Sequence, residues 1–217
     1  MKLLAVISIL MILAPYETLA QDDVIDNEVF NKAVGYYNMG KTQYDLQKFD
    51  AAIKFFSMAH ILNSSNSDYT FGLANSYYDL GLYDSALKYI EQTIDLAVDQ
   101  PDYHYRAGNI HFHLKQYAKA KDNYQIALNN LNDEYPINIY ICTYNKAVSE
   151  YQIRNFEEAI TDLTKLIELD SAEMKYRHLR GVCYLKSGDD TNACEDFTVA
   201  LDLGNQSSAQ YLDRYCN

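Results

Sequence analysis

The feature that most limits what this chain can become is a phrase that returns at a fixed interval. Residues 81–87 read Gly-Leu-Tyr-Asp-Ser-Ala-Leu, and alanines in the same setting stand at Ala52, Ala86, Ala120, Ala159 and Ala193, spaced 34, 34, 39 and 34 apart. Twelve residues before each alanine is another small residue: Gly40, Ala74, Gly108, Ala147 or Gly181. Three before it stand Phe49, Tyr83, Tyr117 and Phe156, with Asp190 the exception, and four after it Phe56, Ile90, Tyr124, Leu163 and Phe197. Seven after it come Ala59, Thr93, Ala127, Leu166 and Ala200. The −3, 0, +4, +7 spacing is one face of an α-helix, because a strand would alternate with period two. The small residues let neighbouring helices approach where larger side chains would collide. A unit of this kind cannot bury its apolar face alone, so it must stack on copies of itself.

With the alanine as position 20, small residues fall at positions 8 and 20 and large ones at 17 and 24 of a 34-residue unit. This pattern resembles the tetratricopeptide repeat. The resemblance implies an all-α, right-handed superhelical solenoid of five helix-turn-helix repeats at 33–66, 67–100, 101–134, 140–173 and 174–207. Position 4, often Trp in the family, is here Tyr36, Thr70, His104, Thr143 or Arg177, and position 32 is never Pro. Gly81 and Gly188 fall at the turn between the two helices of a unit, and Pro101 at a helix start. The stretch Asn132 to Pro136 supplies the five extra residues before the fourth repeat as a lengthened turn. Ser207-Ser208 is expected to cap a last helix, Ala209 to Tyr215, so that residues 208–217 cover repeat five.

Residues 1–20, with Lys2, an apolar run from Leu3 to Ala14, Pro15 and small Thr18 and Ala20, read as a signal peptide cleaved before Gln21. The apolar run is short of the roughly 20 residues a spanning helix needs. Residues 21–32 form an N-terminal extension. The expected location is a bacterial periplasm, or the exterior after secretion, with no stable membrane anchor once the signal is removed. The formal net charge of −12 excludes a nucleic-acid surface, which has to be basic, and serves solubility.

No pattern of a catalyst is present. His111 and His113 point to different faces of a helix; His104 and His111 share one, at positions where the family packs large side chains, and read as core. Asp189-Asp190 and Glu195-Asp196 lack the spacing of a calcium loop and read as solvated helix-end charge. Phosphate loops and nucleophile elbows are absent, and the four cysteines, Cys142, Cys183, Cys194 and Cys216, have no zinc-ligand spacing. The sequence therefore calls for no cofactor, no metal and no catalytic residue.

The family resemblance implies that positions 2, 5, 9, 12 and 13 of the first helices face a concave groove. Position 5 holds Tyr37, Phe71, Tyr105, Tyr144 and His178, and position 12 holds Tyr44, Tyr78, Phe112, Tyr151 and Leu185. Nine of the ten are aromatic, counting His178, which places many of the 21 tyrosines. They are flanked by Asp45, Asp68, Asp79 and Asp102, by Asn75 and Asn109, and in repeat five by Lys175 and Lys186. The candidate groove is thus Tyr37, Tyr44, Phe71, Tyr78, Asp79, Asp102, Tyr105, Asn109, Phe112, Tyr144 and Tyr151. It suits a protein or peptide segment carrying apolar and basic residues. The competing reading is that these rings pack between adjacent helices. Of the positions with which relatives clamp a carboxylate, only Arg106 matches. The closing residues, from Asn192-Ala193-Cys194 to Tyr215-Cys216, resemble the end of exported bacterial members in which two cysteines recur. That resemblance implies a Cys194–Cys216 disulfide; four unpaired thiols is the alternative. The function so read is a non-catalytic scaffold or adaptor. A self-associating structural component, or an accessory subunit of an envelope enzyme or transporter, is the alternative.

Overall fold

The computed structural model describes residues 14–97, 100–131 and 138–216, with side chains from residue 27 onward. Among them are eleven α-helices: α1 (Ala14–Asp45), α2 (Phe49–Leu62), α3 (Ser67–Asp79), α4 (Tyr83–Leu96), α5 (Pro101–His113), α6 (Tyr117–Asn129), α7 (Ile139–Gln152), α8 (Phe156–Leu169), α9 (Met174–Ser187), α10 (Asp190–Asp202) and α11 (Ser207–Tyr215). The chain is all-α, its helices packed pairwise as helix-turn-helix repeats. It divides into two compact units, Met1–Gly81 and Leu82–Asn217. In the first, α2 packs on both α1 and α3; in the second, each helix from α4 to α11 packs on the next. None of the described helices is long and apolar enough to cross a membrane. Of the segment read as a signal, residues 1–13 lie outside the described residues, as does the lengthened turn at 132–136. Helix α1 begins well upstream of position 33, with Pro15 in its first turn, where its missing N–H costs nothing.

The turn within each repeat is made the same way. Position 15 takes a left-handed conformation in all five: φ is +74° at Gly81 and +89° at Gly188, but also +56° at Gln47, +59° at Lys115 and +66° at Arg154. In the third repeat the Lys115 N–H reaches the Phe112 carbonyl at 2.9 Å and the Gln116 N–H the His111 carbonyl at 2.8 Å. This is the paired arrangement that satisfies the last carbonyls of a helix. Helix starts are held by side chains: Asn66 accepts from the Asp68 N–H, Asn138 from the Ile141 N–H and Asp189 from the Asn192 N–H, while Pro101 opens α5.

The core follows the repeat. The five position-20 alanines are fully buried, as are Phe56, Ile90, Tyr124, Leu163 and Phe197 at position 24, each stabilising by at most about 1.5–3 kcal/mol. The small residues at position 8 exist for these rings. A Cβ on Gly40 would come within 2.6 Å of Phe56, one on Gly108 within 2.6 Å of Tyr124, and one on Gly181 within 2.9 Å of Phe197.

Two expectations are corrected. Ser207 and Ser208 do not precede the last helix as caps but lie in its first turn; Ser208 is buried, and its hydroxyl lies 2.9 Å from His178 Nδ1. Asp196 is not a solvated helix-end charge: it is 3% exposed and accepts both Arg180 Nε and Nη2, at 2.7 and 2.8 Å. Its neighbours behave as read, with Asp190 and Glu195 exposed. Helix α11 does cover repeat five, Tyr211 stacking on Phe197 with ring centroids 4.8 Å apart. Cys194 and Cys216 are bonded to each other. Cys142 and Cys183 are free and buried, and burial pushes each thiol up to about 12.

Candidate partner-binding faces

In the first unit, the first helices of two successive repeats enclose a cavity of about 200 Å³. Helix α1 contributes Tyr37, Lys41, Tyr44 and Asp45; α3 contributes Asp68, Phe71, Gly72 and Asn75; Phe56 of α2 forms the floor. Phe56 can lie there because both neighbouring helices are bare over it, at Gly40 and at Gly72, whose Cβ would stand 2.8 Å from the ring. The Tyr37 ring tilts against Phe56 and Tyr69, 5.8 and 5.2 Å between centroids. The Tyr44 hydroxyl donates to the Asp79 carboxylate. Lys41 Nζ lies 5.6 Å from the centre of the Tyr37 ring, and Asn75 Oδ1 is buried without a hydrogen-bond donor.

Three of the predicted groove residues, Tyr37, Tyr44 and Phe71, thus line one cavity, and a fourth, Asp79, holds the hydroxyl of Tyr44. Tyr78 is half-buried on the same helix as Phe71. Sequence reasoning missed Phe56 as the floor and Lys41 on the wall. The signal for the floor was Gly72, a glycine at position 6 of the next repeat that leaves α3 bare over the Phe56 ring, as Gly40 at position 8 leaves α1.

In the second unit the ladder residues are half-buried and lean on rings of their own repeat. Position 12 meets position 17: Phe112 sits edge-on to Tyr117 at 5.4 Å and Tyr151 tilts against Phe156 at 6.0 Å, as Tyr44 does to Phe49 at 5.5 Å in the first unit. Position 5 meets position 24: Tyr105 lies 6.1 Å from Tyr124, and His178 5.8 Å from Phe197. Tyr144 instead packs on Tyr176 at 5.6 Å, with Lys175 Nζ 5.3 Å from its ring centre. Burial pushes the Tyr144 and Tyr151 hydroxyls up and raises Asp102, an effect Arg106 partly opposes. Asn109 is turned inward, accepting the Tyr124 hydroxyl at 2.8 Å. His178 lies under α11.

His104 and His111 sit in the core, each with Nδ1 against a side-chain amide oxygen, Asn123 at 3.2 Å and Gln116 at 2.8 Å. Sequence reasoning also missed a set of buried ion pairs joining positions 7 and 23. Lys146 bonds Asp162 and, at 2.8 Å, Glu150; Arg180 bonds Asp196 and, at 2.9 Å, the Thr164 hydroxyl. Burial pulls the Lys146 ammonium down, but its carboxylate hydrogen bonds outweigh that and leave it raised. These bonds tie α7 to α8 and α9 to α10.

The chain matches the tetratricopeptide repeat over residues 71–136 and 144–208, and again over 33–57. No curated protein matches it. Among solved structures it is similar to YrrB, described as a TPR protein with an unusual peptide-binding site. The TM-score is 0.77 at 19% identity, over 89% of this chain and 97% of that one. It is also similar to MamA, with TM-score 0.71 at 21% identity over 83% and 95% of the two chains. For MamA 41-end from Desulfovibrio magneticus RS-1 the TM-score is 0.70 at 20% identity, over 79% and 94%. At such identities the likeness establishes the fold.

Proposed function

We propose that this chain, which belongs to the tetratricopeptide repeat family, is a scaffold that holds a segment of a partner protein against the first helices of its repeats. The family is generally non-catalytic and typically a protein–protein interaction module, and YrrB, similar in fold, has a peptide-binding site. The observation that carries the reading is the aromatic cavity between α1 and α3, whose walls are repeat positions 2, 5, 6, 9, 12 and 13. Aromatic walls offer large contact area with little rotamer freedom to lose. A photo-reactive amino acid at Phe71 should give a discrete adduct in cells, and one at the exposed Lys88 should not. If both positions catch the same diffuse set, the cavity is not where a partner docks.

We propose further that the protein acts outside the cytoplasm. The leader-like residues 1–20 support this, and N-terminal sequencing of protein from fractionated cells should begin at Gln21. An unprocessed Met1 in the cytosolic fraction would refute it.

A further inference from the structure

We propose that α11 is an acid-released flap: a proton on His178 lifts it from repeat five, and the Cys194–Cys216 bond keeps it attached. This goes beyond the scaffold reading and holds whatever segment the repeats bind. At three junctions a position-5 ring meets a tyrosine on the next first helix. Tyr37 packs on Tyr69 at 5.2 Å, Tyr144 on Tyr176 at 5.6 Å and His178 on Tyr211 at 5.4 Å. The first four repeats place Tyr37, Phe71, Tyr105 and Tyr144 at position 5, rings that take up no proton between neutral and mildly acidic pH. The fifth places there the one side-chain type that does. The helix laid on this junction is also the shortest described, nine residues long, with no further helix described after it. A free helix of that length is not stable in water, so its contacts with repeat five decide whether it stays.

His178 stands at the centre of those contacts. Its half-buried ring tilts against Phe197 at 5.8 Å and is edge-on to Tyr211. Its Nδ1 lies 2.9 Å from the hydroxyl of Ser208, which is fully buried in the first turn of α11. None of the packed elements supplies a counter-charge. On α9, Lys175 lies over the rings of Tyr144 and Tyr176, while Arg177 and Arg180 turn to Asp196, at 3.6 and 2.7 Å. Helix α10 presents Phe197, and its Asp196 is engaged by those two guanidiniums. Helix α11 presents Ser208 and Tyr211 and carries Asp213 and Arg214, and α7 brings Tyr151 into the same cluster as Tyr211. Among the described residues no carboxylate bonds or pairs with His178. A proton there puts a charge between two rings and a hydroxyl, and a lifted α11 returns that charge to water. Burial accordingly lowers His178 below its ordinary value, so acid favours the lifted helix. The bond from Cys194 on α10 to Cys216 at the end of α11 limits the movement, so neutral pH closes the flap again.

The test is hydrogen exchange by mass spectrometry on the full-length, disulfide-bonded chain at pH 7.5 and pH 5.5, each rate divided by the intrinsic rate at its pH. With an open-state histidine of ordinary pKa, about 6.5, this acidification raises the open fraction by at most about tenfold. Protection in α11 should therefore fall by about two- to tenfold in wild type. His178→Phe installs the ring that repeat two carries and cannot take the proton, so α11 should be equally protected at both pH values. Far-UV circular dichroism establishes that the variant is folded. The wild type alone gives a second reading: in an NMR titration the α11 amide resonances should move with the midpoint of the His178 ring. An equal acid response in wild type and His178→Phe would overturn the proposal, as would α11 resonances that stay fixed while His178 titrates.

Discussion

Adding one methyl group should stabilise this protein at Gly35 and destabilise it at Gly108. Both glycines lie inside helices, where alanine is favoured over glycine by about 1 kcal/mol. At Gly35 a Cβ would meet nothing within 4 Å, so Gly35→Ala should gain about 0.5–1 kcal/mol. At Gly108 the new Cβ would stand 2.6, 2.7 and 3.1 Å from Cε1, Cδ1 and Cγ of Tyr124, against an ordinary carbon–carbon contact of about 3.5–4.0 Å. The ring cannot yield by swinging its tip alone, because the contact includes its root. Tyr124 is 1% exposed, and its hydroxyl is tied to Asn109, the residue next to Gly108. Overpacking costs about 1–3 kcal/mol and a strained or broken hydrogen bond about 0.5–1.5 kcal/mol. After subtraction of the helix-propensity gain of about 1 kcal/mol, Gly108→Ala should lose about 0.5–3.5 kcal/mol.

A stacked-repeat chain need not unfold in one step, so the assay is hydrogen exchange by mass spectrometry on peptides from α5–α6 and α1–α2. Gly108→Ala should speed exchange in α5–α6 by about 2–300-fold, the factor that 0.5–3.5 kcal/mol represents. Gly35→Ala should slow it in α1. With Tyr124→Leu the obstructing ring is gone, and adding Gly108→Ala should then be neutral or stabilising. A Gly108→Ala protein protected as well as wild type would show that position 8 is small for some reason other than the ring at position 24.

Replacing Lys115 or Arg154 by glycine should stabilise the second unit by about 0.5–1 kcal/mol each, because a left-handed residue with a Cβ costs about 1–2 kcal/mol and glycine's extra chain entropy returns part of it; lower stability in urea titrations would contradict the turn geometry. Reducing the Cys194–Cys216 bond, which closes 22 residues of chain, should cost about 2–4 kcal/mol. Its effect should appear as faster exchange in α11, while equal exchange in both redox states would mean that packing of Tyr211 alone holds the cap. Burial lowers His178 below the ordinary histidine value, so the unfolded chain takes up its proton first. The contribution of His178 is intact above about pH 6.5 and declines as pH falls through that value toward the lower folded one. His178→Asn should flatten this fall relative to wild type, and parallel pH curves for the two proteins would remove His178 as its source.

The repeat made the fold readable because it states each packing rule five times. The period placed Ala120 and Tyr124 in the core without any propensity argument, and Gly40, Gly108 and Gly181 fall where they do because an aromatic ring at position 24 covers position 8. Turn chemistry was only partly readable. Gly81 and Gly188 announced a left-handed residue, whereas Gln47, Lys115 and Arg154 take the same conformation with no glycine to signal it. There the register, which puts all five at position 15, was the available clue. Of the candidate site, the aromatic positions were legible, but not which face of each ring is spent on its own repeat. Tyr105 and Phe112 look alike as letters, and only packing shows that both lean on the second helix of their unit.

Asp196 fails for a different and more instructive reason. A carboxylate near other carboxylates reads as solvated charge, because burying it unpaired would cost far more than a repeat can supply. Its partner Arg180 stands 16 residues earlier, as Lys146 stands 16 before Asp162. Repeats one to three have Met39, Leu73 and Ala107 at position 7 and Phe55, Tyr89 and Asn123 at position 23. Cation and carboxylate enter together, in repeats four and five, and neither enters alone. A buried ion pair gives little net stability over an apolar pair of similar size, but losing one partner is strongly destabilising. The two charges are therefore bound to enter as a pair, and a cation at position 7 coinciding with a carboxylate at position 23 was the sequence signature of contact across the repeat.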